Sequence, residues 1–486
     1  MNVEKSEPPV VPMKPGNRTD RDPAEGRGGR STEPLKGKAP ELPGLASVCT
    51  KRQRIAKLAK EDPERAFTSL AHCIDIEWLH EAYHLTRKDG ATGVDGQTAD
   101  QYEANLGANL RSLLERLKSG LYRAPPVRRV HIPKGSGGAT RPIGIPTFED
   151  KVAQRAVAMV LECVYEQDFL PCSYGFRPGR GALDATTAVD RIAMACRGGT
   201  VVELDIQKFF DTLDHKQLMD FLRLRVRDGV LLRLIGKWLN AGVLEAGAVP
   251  HPETGTPQGG VISPLLANVY LHYVLDLWFQ REVKPRLHGQ AELVRYADDA
   301  VIVCTQASDA ERILDVLPKR FGKYGLALHP DKTRLVRFER PSRNGGPEDG
   351  NGPGSFDFLG FTFYWGKSRK GNNVVRRKTA KDRLARGLKR IGDWCRRNLH
   401  ADIDEQHRGL SLKLTGHYGY YGITGNFRSL QKFALQVHRT WYRWLCRRSW
   451  AGRRSWAWFA ALTDRMPLPR PRIVHPCDLD AQRIRT

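Results

Sequence analysis

The sequence predicts an α+β fold, and three observations predict it. Two short runs rich in β-branched residues, Leu293-Val294-Arg295 and Ala300-Val301-Ile302-Val303-Cys304, flank Tyr296-Ala297-Asp298-Asp299, which reads as a strand, a tight reversal and a second strand. Val201 to Asp211 is also strand-like and carries Asp205 on the face opposite Val202, Leu204 and Ile206. Asp382 to Leu399 instead has apolar residues at helical spacing, Leu384, Leu388, Ile391 and then Trp394 and Cys395, with Arg and Lys on the other face. A chain of 486 residues is long enough for about three domains.

In chain order, residues 1–46 come first, with eight prolines and no aromatic residue, too little apolar surface to repay ordering, so disorder is expected. They lack an apolar core of the signal-peptide kind, and Glu4, Asp20 and Glu33 argue against a transit peptide. From Lys51-Arg52-Gln53-Arg54 through Leu121 the pattern is helical and polar-faced. Lys134 and Arg141 then bracket Gly135-Ser136-Gly137-Gly138, a flexible hairpin tip between two cations that suits closure over a phosphate. Gly255 to Gly260 is a turn stripped of side chains, followed by a helix-like run from Leu265 to Leu277, and such a bare backbone is expected to let a template strand come close. Arg340 to Ser355 is Gly/Pro-rich and is expected to be an exposed loop joining two strands, without catalytic weight.

The acids carry the chemistry. Strand side chains alternate, so Asp298 and Asp299 point to opposite faces and only one is expected to be a full metal ligand. Asp298, in phase with Val294 and Tyr296, is that residue. Asp205 supplies a second acid-bearing strand edge. Magnesium takes oxygen ligands from one or two carboxylates plus substrate phosphates, so Asp205 and Asp298 together suit two Mg2+ ions.

Charge and aromatics point to a polyanion. The chain has 78 Lys plus Arg against 54 Asp plus Glu, a formal charge of +24. Residues 361–460 hold 23 of these cations against 5 acids, and seven of the ten tryptophans: Trp365, Trp394, Trp441, Trp444, Trp450, Trp456 and Trp458. Cations interleaved with flat rings can neutralise phosphates and stack on unpaired bases, as in recognition of single-stranded and loop RNA. For Tyr418 and Trp441, burial in a core is the expectation rather than base stacking, because aromatic rings are mostly buried.

From about Lys51 to Trp458 the chain resembles a bacterial group II intron reverse transcriptase and maturase. The resemblance is carried by motifs in one order: Ile132-Pro133-Lys134, Arg141-Pro142-Ile143-Gly144-Ile145-Pro146, Ser173-Tyr174-Gly175-Phe176-Arg177-Pro178, Leu204-Asp205-Ile206, Gly255 to Pro264, Tyr296 to Asp299, His329-Pro330-Asp331-Lys332-Thr333 and Phe358-Leu359-Gly360-Phe361. Gly416-His417-Tyr418-Gly419-Tyr420-Tyr421-Gly422-Ile423 resembles that family's maturase domain (domain X) more loosely. The resemblance implies a right-hand polymerase with mixed fingers, a palm bearing a small antiparallel sheet and a helical thumb. It divides the chain into a disordered tail (1–46), an N-terminal extension (47–122), fingers and palm (123–365, with the 340–355 loop), thumb and domain X (366–462) and a C-terminal tail (463–486).

It also implies roles. Asp205, Asp298 and Asp299 are the catalytic triad, and the metal ligands are these three with the backbone carbonyl of Ile206. Phe210 stands at the steric gate under the incoming sugar, Lys134 and Arg141 grip the triphosphate, Gln258 lies near the nascent base pair, and Lys332 is the general acid for pyrophosphate. The implied partners are group II intron RNA, an RNA template with a DNA primer, dNTPs and a DNA target site, in a bacterial cytoplasm. Two alternatives stay open. One is a retron-like or diversity-generating reverse transcriptase, against which the long basic C-terminal region speaks. The other is a splicing-only RNA-binding maturase, against which the intact aspartates speak, because mutually repelling carboxylates cost stability without metal.

Four absences complete the reading. No apolar run approaches the ~20 residues of a membrane span. The nine cysteines include no Cys-x-x-Cys pair, which fits reduced thiols and argues against structural zinc. The His-Asn-His endonuclease with paired cysteines found in many relatives is not seen, so second-strand cleavage is not expected from these residues. Nor is there a Walker loop or an RNase H-like acidic set after residue 370.

Overall fold

The computed structural model describes residues 45–133, 140–244, 259–341, 354–368, 370–448 and 454–476. The expected disorder of residues 1–44, the tip residue Lys134, Gln258, Trp450, positions 342–353 of the Gly/Pro-rich loop and positions 477–486 of the C-terminal tail lie outside them.

The helical run expected between Lys51 and Leu121 is broken into four helices, α1 (Leu45–Glu61), α2 (Ile76–Leu85), α3 (Ala99–Glu103) and α4 (Leu106–Ser119). The breaks are local chemistry. Pro63 disfavours helix at the residue before it, just beyond the end of α1. Asp75 caps α2 by accepting from the Trp78 amide at 3.0 Å, Thr98 and Gln101 form a capping box on α3, and Gly120 ends α4 in a left-handed conformation. A hairpin follows, β1 (Val127–Pro133) and β2 (Thr140–Ile145), paired from Arg128 with Ile145 to Pro133 with Thr140. It leads into α5 (Phe148–Asp168), which is buried on nearly every side as a central core helix should be. Helices α1 and α2 pack along α5, and the Trp78 indole donates to the Ala156 carbonyl at 2.9 Å.

After α6 (Ala182–Ala195), strand β3 (Thr200–Gln207) carries Asp205. The strand-like stretch read through Asp211 is shorter than expected: Lys208 turns left-handed at φ 46° and starts a one-turn helix, α7 (Phe209–Thr212), so Phe210 sits on a helical turn. Next come α8 (His215–Arg225), α9 (Gly229–Leu239), β4 (Val243–Leu244) and α10 (Ser263–Leu271). The helix-like run to Leu277 is present, but it widens from α-helical to π-helical turns at His272–Asp276 and again at Phe279–Val283. Then β5 (Ala291–Tyr296) and β6 (Asp299–Cys304) form the acidic hairpin, followed by α11 (Ala307–Lys323), β7 (Ala327–Leu328), β8 (Arg334–Arg337), β9 (Phe356–Phe358), β10 (Phe361–Lys367) and β11 (Asn373–Thr379). Phe358-Leu359-Gly360-Phe361 is a two-residue reversal between β9 and β10, with Leu359 at φ 50° and Gly360 at φ 85°.

Among the described residues three sheets result, in the orders β2-β1-β4, β5-β6-β3-β7 with β8 also paired to β3, and β11-β10-β9. Together with the helices they make the fold α+β, as the sequence predicts. The chain divides into two compact units, one running to Ala185 with Leu204–Ile302 and Glu311–Arg334, the other made of Thr186–Glu203, Val303–Ala310 and the chain from Leu335 onward.

In the second unit, α12 (Lys381–Arg397), α13 (Ile403–Tyr421), α14 (Phe427–Leu445) and α15 (Trp456–Arg465) enclose one apolar core. The helix period read at Asp382 to Leu399 holds: Ile391 and Cys395 are buried, Leu384, Leu388 and Trp394 pack against the same core, and Lys381, Arg383, Lys389, Arg390, Arg396 and Arg397 are exposed. Tyr418 and Trp441 are core aromatics, fully buried, with the Trp441 indole donating to Gln406 Oε1 at 3.0 Å. Trp365 is buried as well, Trp394, Trp444 and Trp458 are partly buried, and Trp456 stands 53% exposed, so few of the rings are free to stack on bases.

Candidate active site

Two neighbouring strands place the aspartates at one end of a sheet. β6 lies beside β3 in the sheet, and a Cβ on Gly199, just before β3, would fall 2.1 Å from the carbonyl oxygen of Cys304, the last residue of β6. The C-terminal end of β6 thus abuts the N-terminal end of β3, so the strands are antiparallel. Asp299 opens β6, and Asp205 is two residues from the end of β3, so both acids and the hairpin tip lie at the same end of the sheet.

The tip itself is Ala297-Asp298, with Asp299 already in β6. Ala297 takes a left-handed φ of 54°, which costs a residue with a Cβ roughly 1 kcal/mol. Asp298 and Asp299 are half-buried. Tyr296 beneath them is buried, and its phenol is raised above its ordinary value, mainly by burial and then by the charge of Asp299.

Ser173-Tyr174-Gly175-Phe176-Arg177-Pro178 buttresses this tip. The Tyr174 amide donates to the Arg295 carbonyl at 2.9 Å, and the Arg295 amide donates to Cys172 at 2.8 Å. Gly175 is pressed so close that a Cβ there would lie 2.3 Å from the Ala297 nitrogen, and only glycine fits. Arg295 itself is fully buried, in the strand that the sequence reading counted as an apolar run. Burial alone would lower its pKa, but the Asp276 carboxylate beside it outweighs that and raises it. No sequence pattern signals this side chain's contacts, because its partners Asp276, Asn268 and Ser173 are remote in sequence.

Around Asp205 the backbone and one cation converge. Its carbonyl accepts from the His329 amide at 2.8 Å, and Ile206 pairs with Leu328 on β7. That pairing carries the His329 to Thr333 turn to the end of β3, and Lys332 Nζ reaches Asp205 Oδ2 at 2.7 Å. Phe210 is half-buried on α7, edge-to-face with buried Phe209 at 5.3 Å. Arg141 is exposed on β2 opposite Ile132. At Gly259 the close approach is to the protein itself, since a Cβ there would fall 2.5 Å from the Gly144 carbonyl oxygen.

A family profile described as reverse transcriptase (RNA-dependent DNA polymerase) matches residues 132–363, a stretch that contains all three aspartates. The protein YkfC of Escherichia coli is 34% identical over 361 residues, covering 67% of this chain and 90% of YkfC. The group II intron-encoded protein LtrA of Lactococcus lactis is 38% identical over 245 residues, 48% of this chain and 40% of LtrA. A putative COX1/OXI3 intron 2 protein of Saccharomyces cerevisiae is 35% identical over 198 residues, 40% of this chain and 23% of that protein. The chain belongs to the group II intron reverse transcriptase family.

This reverse transcriptase is an RNA-directed DNA polymerase, acting on nucleic acid. Among its described residues no three His, Cys, Asp or Glu side chains converge into a protein-only metal cage. Two carboxylates at one sheet end fit Mg2+ better than such a cage would, because Mg2+ keeps several waters and completes its shell with substrate phosphates. No described helix of the reverse transcriptase is long and apolar enough to cross a membrane.

Proposed function

We propose that this reverse transcriptase works as a right hand on its own intron RNA: it copies RNA into DNA with a two-metal site at Asp205, Asp298 and Asp299, and assists splicing and retrohoming. Fingers and palm correspond to 123–365 and thumb with domain X to 366–462, preceded by the extension at 47–122. The observation that carries the reading is the placement of Asp205 and the Asp298-Asp299 tip at the same end of antiparallel β3 and β6, with Lys332 on Asp205. Support for the RNA partner is the basic face of α12 and the similarity to intron-encoded proteins.

In the reaction the primer 3′-hydroxyl gives up its proton to solvent as its oxygen attacks the α-phosphorus of a dNTP in line, and the bond to the leaving pyrophosphate breaks. Magnesium, when bound, supplies charge stabilisation at the attacking and leaving oxygens. Asp205 and Asp298 would hold the metal, joined by the Ile206 carbonyl and Asp299. Lys332, released from Asp205, gives a proton to the leaving pyrophosphate oxygen. Arg141, with Lys134, grips the triphosphate, where a planar fork and a point charge suit phosphate oxygens. Phe210 lies under the sugar and excludes a 2′-hydroxyl, and Gln258 lines the new base pair.

The test is to purify the protein from its own cells with RNA attached and sequence that RNA. Recovery of the transcript surrounding its open reading frame, carrying a spliceable intron, is the expected result. A structured noncoding RNA or mixed cellular RNA would overturn the intron partner and leave the polymerase.

A further inference from the structure

The Ala297-Asp298 tip does not hold its own shape. Alanine offers no side-chain hydrogen bond to pay for a left-handed φ of 54°, so the conformation is imposed from outside. Gly175 supplies a wall, and Arg295 supplies a clamp. The guanidinium has five N–H donors, and all five are used. Nε and Nη2 donate to the two oxygens of Asp276 at 2.8 and 2.6 Å, Nη1 to Asn268 Oδ1 at 2.9 Å and to the Ala297 carbonyl at 3.0 Å, and Nη2 to Ser173 Oγ at 2.7 Å. Both Arg295 and Asp276 are fully buried. A buried ion pair adds little net stability over apolar residues of the same volume, so stability is a weak reason for this charge. A planar, fully bonded fork adds geometric precision instead.

We infer that Arg295 is a positioning residue: it clamps the Ala297 carbonyl so that the Asp298 carboxylate is presented for metal binding, with Asp276, Asn268 and Ser173 fixing the clamp. The inference rests on the reading of Asp298 as a metal ligand.

The test uses the full chain bound to an RNA template, a DNA primer and a nonhydrolysable dNTP analogue. Mn2+ is titrated in and binding is followed by electron paramagnetic resonance; primer extension against Mg2+ concentration is measured separately. Arg295→Lys keeps a charge beside Asp276 but cannot reproduce the five-bond fork. Metal affinity should weaken by about tenfold or more, with RNA affinity unchanged. Ser173→Ala removes one acceptor only and should shift metal affinity the same way by a smaller factor, and it decides the matter if Arg295→Lys does not fold. Unchanged metal affinity in the folded variants, with only a lower melting temperature, would reduce Arg295 to a fold-stabilising residue. Asp298→Ala separates the two layers. If it binds Mn2+ and extends primers like the parent, the metal-ligand reading fails; if it loses metal while the clamp variants do not, only the positioning role fails.

Discussion

Lys332 Nζ lies 2.7 Å from Asp205 Oδ2, a cation drawn to the carboxylate from a turn that β7 carries to the end of β3. The lysine side chain is 53% exposed and the aspartate 24%, so the pair is screened by water and contributes little to stability. Its interest is chemical: if Asp205 holds metal as proposed, the same nitrogen would compete with that metal for Asp205 and would be at hand to give a leaving pyrophosphate its proton. Lys332→Ala should therefore slow single-turnover primer extension by about a hundredfold, the scale of general-acid loss, while lowering the Mg2+ needed for half-maximal rate. Primer extension across a Mg2+ series checks it; an unchanged maximal rate would leave Lys332 as a turn residue.

Phe210 stands on the helical turn that follows the left-handed Lys208, half-buried against Phe209. If it lies under the incoming sugar, Phe210→Ala should raise ribonucleotide incorporation relative to deoxynucleotide by about tenfold or more, since removing a bulky wall relaxes shape discrimination. Competition between the two nucleotides on one template is the measurement. A constant ratio returns Phe210 to the core.

The exposed cations of α12 predict a steep salt dependence of RNA binding. Each neutralised phosphate releases counterions, so contact with six or more should give a log–log slope of about −4 or steeper for single strands. Filter binding from low to moderate salt measures it, and charge-neutral substitution at Arg390 and Arg397 should flatten the slope. A flat response in the parent chain would put the RNA path elsewhere.

His417 in α13 stacks on Phe433 with ring centroids 3.7 Å apart, and its Nε2 is buried without a hydrogen-bond partner among the described residues. Burial lowers its pKa from the ordinary 6.5 to about 4. The folded state therefore prefers the neutral ring, so its contribution is intact above pH 6.5 and is lost as pH falls toward 4. At pH 5 the loss should be about 1–2 kcal/mol, after allowing for partial exposure. His417→Phe should remove that part of the acid sensitivity. Urea unfolding at pH 7 and pH 5 tests it, and an equal loss in both proteins would refute the assignment.

Local chemistry was legible wherever neighbours in sequence decide the structure. The β5-β6 hairpin, the acid-bearing β3 and the amphipathic α12 all follow from side-chain period and turn residues. Element ends were less legible. The strand through Asp205 stops at Gln207 because Lys208 goes left-handed, and the run after Ser263 widens into π-helical turns, and neither event has a signature in residue type.

Position in the motif series made Asp205, Asp298 and Asp299 candidates without any coordinates, because metal chemistry demands carboxylates and strand geometry demands their spacing. Only tertiary structure decided how they are held. By sequence Arg295 was only the last residue of the run Leu293-Val294-Arg295, and the partners that fix its charge come from 19, 27 and 122 residues away. Likewise, Tyr418 and Trp441 sit in the core because three other helices cover them. Periodicity records which face of an element is apolar, but the cost of burying a charge or a ring depends on what arrives from elsewhere in the chain to meet it.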